Sequence, residues 1–195
     1  MNSILSPQKG KMTEQRSKFL SFVFPCKSVE EQTAFGKKMR SEYPSATHIC
    51  YASAIDIGNI QYFSSDDGEP SGTAGVPILN AIKEKQLVNV IVFVVRYFGG
   101  IKLGTSGLIK AYKESAELCL KGIVFVEKKR LFKMSCAYEN FDKVKKLASK
   151  NGNKIENETF LDDVTFCIYL RENEEELYLN VVDSLDDLHK FCYVR

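Results

Sequence analysis

The chain has little of what marks several specialised classes of protein. It holds only two histidines, and none of its six cysteines is spaced as CxxC. A zinc module needs a denser ligand set, so none is expected. No apolar run approaches the roughly 20 residues of a membrane span. Met1 to Lys18 lacks the apolar block of a secretory signal. The net charge of +2, from 27 basic and 25 acidic residues, excludes a grip on nucleic acid by the protein as a whole. The cysteines stand at 26, 50, 119, 136, 167 and 192, several within apolar segments, where a reduced, packed thiol is the rule. Together these absences point to a cytoplasmic protein with free thiols and no membrane association.

What is present is ordinary globular composition: 195 residues, 44% hydrophobic and 27% charged. That is enough for one large domain or two small ones. The charge is unevenly laid out. Residues 1–40 carry a net +5, residues 41–75 a net −5 with no Lys or Arg, and residues 76–126 a net +4. Residues 127–154 carry +6, and residues 155–195 carry −8. Such blocks are either solvated faces of separate elements or basic surfaces that meet phosphates.

Apolar patterning predicts the elements. Phe19 to Phe24 reads as a strand ended by Pro25. Ser28 with Glu31 forms a capping-box pattern that opens a helix, with Ala34, Phe35 and Met39 as its core face. Thr47 to Ile57, the turn Gly58-Asn59 and Ile60 to Ser64 read as a hairpin. A loop from Ser65 to Gly72 leads into a helix over Thr73 to Gln86, with Ile78, Leu79 and Ile82 facing in. Leu87 to Val95 is a nearly unbroken apolar run, as in a strand buried on both faces. A second glycine-rich loop follows, then a helix over Thr105 to Lys121.

The polar run Glu127-Lys128-Lys129-Arg130 is read as a break between domains 1–126 and 127–195. Beyond it the expected order is strand Leu131–Tyr138, helix Asn140–Ser149, strands Lys154–Phe160 and Val164–Leu170, helix Glu174–Ser184 and a last short strand. That is the ferredoxin-like βαββαβ pattern, so the fold class is α+β. The pattern carries little functional information.

The informative chemistry lies in two glycine-rich loops that each run into a helix. A helix N-terminus offers unpaired N–H groups and partial positive charge, and glycine lets backbone approach a ligand closely. Both loops are therefore candidate oxyanion sites. For phosphate or nucleic acid the candidates are Arg96, Gly99, Gly100, Lys102, Gly104, Thr105 and Lys110. The alternative is that these glycines only shape tight turns. In the first loop Asp66, Asp67 and Glu69 can hold a hard cation, or one can act as a general base. More modestly, they cap the next helix and enforce the turn. His48 completes the catalytic candidates with Asp67 and Glu69, although a lone strand histidine is more often a packing residue. Cys50, two residues on, points to the same strand face. Tyr97, Phe98 and Tyr112 can stack on bases or belong to the core, and Phe98 is assigned to the core. No Walker A loop, nucleophile elbow, GxGxxG or HExxH completes a catalytic signature.

The segment Asp66-Asp67-Gly68-Glu69-Pro70-Ser71-Gly72-Thr73-Ala74-Gly75 resembles the DDGEPSGTAG block of the IMPACT/YigZ family. Arg96 to Leu108 resembles its RYFGGxxLGxxGL block, departing at Ser106, where many members carry glycine. Ala46-Thr47-His48 also fits, and the likeness covers about residues 12–126. The remainder resembles the second domain of bacterial, two-domain YigZ-type members. The resemblance implies a first domain like domain IV of elongation factor G and a second like its domain V, both of which work against ribosomal RNA. Eukaryotic IMPACT proteins are regulators of translation and carry an additional N-terminal domain, so their partner role is not carried over to this chain. The expected role is a non-enzymatic regulator that binds RNA or the ribosome, with no cofactor. The alternatives are a protein-interaction module using the acidic residues Glu172 and Glu174 to Glu176, or a phosphate- or nucleotide-dependent enzyme using both loops.

Overall fold

The computed structural model describes residues 2–123, 125–171 and 174–194. Glu172, and the side chains of Glu127, Lys128 and Cys192, lie outside what is described. The chain divides into two compact units, residues 1–125 and 126–195.

In the first unit, after the short strand β1 (Asn2–Ile4), five antiparallel strands form a sheet. They are β2 (Gln8–Glu14), β3 (Ser17–Pro25), β4 (His48–Asp56), β5 (Ile60–Ser65) and β6 (Val90–Tyr97), in the order β2-β3-β6-β4-β5. Helix α1 (Val29–Glu42) packs on one face, with α2 (Gly75–Glu84) and α3 (Gly104–Cys119) on the other. The central strand β6 serves both cores: Val90, Val92 and Val94 face α2 and α3, while Ile91, Phe93 and Val95 face α1. This is why its sequence is apolar without alternation.

Several elements differ from the pattern read in the sequence. Strand β2 has no apolar signature in the sequence, because its exposed edge position needs no apolar residue, and Gln-Lys-Gly-Lys-Met-Thr-Glu offers only half-buried Met12. The β2–β3 turn places Gln15 and Arg16 at φ +42 and +65, a left-handed pair without its usual Asn or Gly. Helix α1 is capped by Ser28, whose Oγ accepts from Glu31 N at 3.3 Å, but Glu31 Oε2 reaches Lys27 N at 2.7 Å rather than the cap residue. Its inner face is Gln32, Phe35 and Met39, and Ala34 is exposed. Gln32 is admitted because its Oε1 accepts from Ser53 Oγ at 2.5 Å.

The second unit holds β7 (Phe125–Cys136), α4 (Tyr138–Asn151), β8 (Ile155–Phe160), β9 (Val164–Leu170) and β10 (Ser184–Val194). The strands pair antiparallel in the order β8-β9-β7-β10, the order of a split βαβ unit. The polar run 127–130 is not a break; its backbone lies within β7. Lys129 is 3% exposed there because its Nζ donates to Gly152 O and Asn153 Oδ1, both at 3.1 Å, at the C-terminus of α4. The expected helix over Glu174–Ser184 is a single 3-10 turn, Glu175–Leu177. Glu174 is drawn away by Arg171 and Asn153, and Val181-Val182 disfavours a further helical turn. The acidic segment is thus partly tied into the fold rather than offered as a free face.

Candidate functional site

The first loop, between β5 and α2, uses each acid differently. Asp66 caps α2: its Oδ1 accepts from Ala74 N at 2.9 Å and Gly75 N at 2.8 Å, and its Oδ2 from Gly72 N at 2.8 Å. Burial pushes its pKa up, but the N–H groups of Gly72, Gly75 and Ala74 outweigh it and hold the carboxyl below its ordinary value. The helix therefore starts at Gly75, two residues later than expected, and its anion site is filled by the chain's own carboxylate. Asp67, at φ +45, accepts from Arg40 Nη2 at 2.6 Å and Ile49 N at 2.5 Å. Glu69 is buried, and its Oε1 accepts from Arg96 Nη1 at 2.6 Å and Tyr112 Oη at 2.7 Å. The metal candidates Asp66, Asp67 and Glu69 thus face three different sets of protein donors. Among the described residues, no three His, Cys, Asp or Glu are placed to hold a metal ion.

Around Glu69 lies a buried polar cluster. Arg96 is the penultimate residue of the central strand β6, with Phe19 of β3 and His48 of β4 as its cross-strand neighbours. Its Nη2 donates to Ser17 Oγ at 3.2 Å, and its guanidinium carbon sits 5.5 Å from the Phe19 ring centre. Arg96 is 5% exposed and faces inward, so it acts here as an internal partner and not as a hook for phosphate. His48 Nδ1 lies 2.8 Å from Asp67 O; a carbonyl only accepts, so Nδ1 carries the proton. Its Nε2 lies 3.8 Å from Glu69 Oε1. Cys50 Sγ donates to Asp66 O at 3.0 Å, and burial pushes its thiol up to about 12. It is a packed thiol, not a nucleophile. Burial, with Cys50 and Glu69 beside it, likewise raises the Tyr112 phenol, which donates to Glu69.

The second loop is built differently. Gly99 N donates to Ser17 Oγ at 3.2 Å, and a Cβ at Gly99 would overlap the Arg16 carbonyl group. Gly100 and Gly104 take φ +87 and +72. Helix α3 begins at Gly104 with no side-chain cap from Leu103. Lys102, Gly104, Thr105 and Lys110 are exposed, and Lys110 Nζ lies 3.8 Å from Glu114. Phe98 is 47% exposed, contrary to its assignment to the core, whereas Tyr112 is fully buried. Phe98 lies just past the end of β6, beyond the residues enclosed by sheet and helices, whereas Tyr112 sits on the buried face of α3.

The two loops share one wall, since Glu69 of the first bonds Arg96 before the second and Tyr112 in the helix after it. Sequence spacing alone gave no sign of this pairing. A separate groove of about 780 Å³ between α2 and α3, lined in part by Met12, Ala81 and Leu118, shares no residue with either loop.

Fold and site define a class of protein: a two-unit α+β chain whose two glycine-rich loops are clasped by a buried Glu–Arg pair. The Impact N-terminal domain family matches residues 15–120, and a domain of unknown function, DUF1949, matches residues 134–178. An IMPACT family member from Haemophilus influenzae is 34% identical over 186 residues, covering 91% of this chain and 90% of that protein. The IMPACT family member YvyE of Bacillus subtilis is 34% identical over 166 residues, covering 84% of this chain and 76% of that protein. The crystal structure of a hypothetical protein matches with a TM-score of 0.63 at 27% identity, covering 100% of this chain and 97% of that one. This chain belongs to the IMPACT/YigZ family.

Proposed function

We propose that this protein contacts RNA or the ribosome without catalysing a reaction, in the service of translational control. The observation that carries the reading is the asymmetry of the two loops. The N-terminus of α2 is filled by Asp66, while that of α3 has no side-chain cap and stands exposed after a loop that carries exposed Lys102 and Phe98. Exposed N–H groups and a lysine suit a phosphate, and an exposed ring suits an unstacked base. Exposed Lys146 and Lys150, further along α4, support a second backbone contact. On this reading domain 1–126 supplies the specific contact and domain 127–195 the second surface, on folds akin to domains IV and V of elongation factor G. A cytoplasmic setting accords with free thiols at Cys26, Cys50, Cys119, Cys136 and Cys167. Among the described residues no helix is long and apolar enough to cross a membrane.

Fluorescence anisotropy with structured RNA, between about 50 and 200 mM salt, tests this. Affinity should fall steeply with salt. Lys102→Glu should lower the slope of log affinity against log salt by about 1. Phe98→Ala should cost about 1–3 kcal/mol of stacking. Absence of salt-sensitive binding at low micromolar protein overturns the reading.

A further inference from the structure

The second unit carries an exposed apolar patch that the RNA contact does not use. Tyr138 opens α4 and is 53% exposed; Phe160 and Leu161, at the β8–β9 hairpin, are 53% and 76% exposed. The three are contiguous. The Tyr138 and Phe160 rings lie 6.2 Å apart, and Tyr138 Oη donates to Leu161 O at 2.7 Å. The two rings are also anchored to the core. Phe160 stands edge-on to Phe141 at 5.7 Å, and Phe141 packs at 5.5 Å on Phe166 in the core. A rigid apolar surface gives up little side-chain freedom when it is covered, which is the character of an interface anchor.

The margin of the patch is acidic. Asp162 and Asp163 follow Leu161 directly, Glu139 follows Tyr138, and all three are exposed. Asp183 adds a fourth carboxylate at this end, where its Oδ2 accepts from Ala137 N at 2.8 Å. Nearby on α4, Lys145 is paired with Asp142 at 2.9 Å, while Lys143 donates to the uncharged Asn140 at 2.9 Å; the four carboxylates outnumber these two lysines. The helix dipole accounts for an acid at position 139. It does not account for a leucine at the hairpin tip, three-quarters exposed, beside an exposed aromatic pair.

We infer that this patch docks a basic amphipathic segment of a partner protein. Its apolar side chains would cover Tyr138, Phe160 and Leu161, and its Lys or Arg side chains would meet Asp162, Asp163 and Glu139. Charge selects the occupant: a carboxylate margin repels a phosphate chain, so RNA is the wrong partner for this face. The inference is independent of the RNA contact, which rests on residues of the first unit and on the lysines of α4.

The test uses the full chain, isotope-labelled for NMR, and a fluorescent synthetic peptide of alternating leucine and lysine. A second peptide carries glutamate in place of lysine. The lysine peptide should bind and shift resonances of residues 138–141 and 158–163. Leu161→Ser should weaken it about tenfold. Asp162→Lys with Asp163→Lys should weaken it comparably and abolish its salt dependence. All three positions are exposed, and circular dichroism of each variant verifies the fold. Equal binding of the glutamate peptide, shifts confined to other residues, or full affinity in both variants overturns the inference. So does a monomer–dimer equilibrium in sedimentation that Leu161→Ser abolishes, because the occupant is then a second copy. RNA that shifts the same resonances overturns it as well.

Discussion

Glu69 Oε1 and Arg96 Nη1 are 2.6 Å apart, with side chains 4% and 5% exposed, and this bond ties one glycine-rich loop of the chain to the other. Both charges are almost enclosed, so each depends on the other. Tyr112 Oη adds a second donor to the same oxygen. Pairing of this kind fixes the relative position of two backbone loops more than it adds net stability.

Removing one partner is therefore expected to be worse than neutralising it in place. Arg96→Ala strands a buried carboxylate and should cost about 3–5 kcal/mol in urea or guanidinium unfolding. Tyr112→Phe removes one charge-assisted bond and should cost about 1.5–3 kcal/mol. An Arg96→Ala midpoint equal to that of the wild type would show that the clasp does not hold the loops.

Asp66 gives a pH-dependent signature. Its folded pKa is lowered by the N–H groups it caps, against the opposing effect of burial. A group so lowered contributes stability above its unfolded pKa, near 3.9 for aspartate, and loses it as pH falls through the folded value. Asp66→Asn should lower stability by about 0.5–2 kcal/mol near neutral pH, as loss of a helix cap does. The gap between wild type and variant should narrow below about pH 4. Urea midpoints measured from neutral to acid pH check this, and a gap that widens in acid contradicts it.

Two glycines should respond in opposite directions to alanine. At Gly99 an added Cβ overlaps the Arg16 carbonyl group, so Gly99→Ala must push the β2–β3 turn away from the second loop. At Gly36, mid-helix in α1, nothing lies within 4 Å of an added Cβ, so Gly36→Ala should stabilise by about 0.5–1 kcal/mol. Thermal melts of the two variants distinguish backbone contact from mere flexibility. A Gly99→Ala protein as stable as wild type would mean the turn is not pressed on the loop.

What the sequence made legible follows from where each signal originates. Strands β3, β4 and β6 bury one or both faces, so their apolar runs announce them, while β5, an edge strand with no buried residue, is announced by the Gly58-Asn59 turn before it. Strand β2 lies at an edge, and the Gln15-Arg16 turn uses residues that do not advertise left-handed backbone. Within the site, the loops and their helices were visible as glycine patterns, but the partners were not. Asp66 reaches Gly72 to Gly75, six to nine residues on, and Glu69 reaches Arg96, 27 residues on. Such pairings are set by the fold, and residue type alone leaves open whether a carboxylate caps a helix or meets a ligand. The 3-10 turn at Glu175–Leu177 shows the same limit: the side-chain bonds of Glu174 decide against a helix that spacing allowed.

The thiols separate on burial. Burial pushes Cys26 up to about 11, and Cys50 and Cys119 up to about 12, so at pH 8 almost none of each is thiolate in the folded protein. Glu31 beside Cys26 adds to the rise there, whereas the hydrogen bonds to Cys50 and Cys119 only partly oppose it. Cys167, on β9, is only partly buried. Iodoacetamide on the native chain should therefore label Cys167 well before Cys26, Cys50 or Cys119, with all four equalised in denaturant. Peptide mass spectrometry over a time course reads the order directly. Early labelling of Cys50 would mean that the cluster around Glu69 opens to solvent in the native state, and the clasp between the loops would then be dynamic rather than fixed.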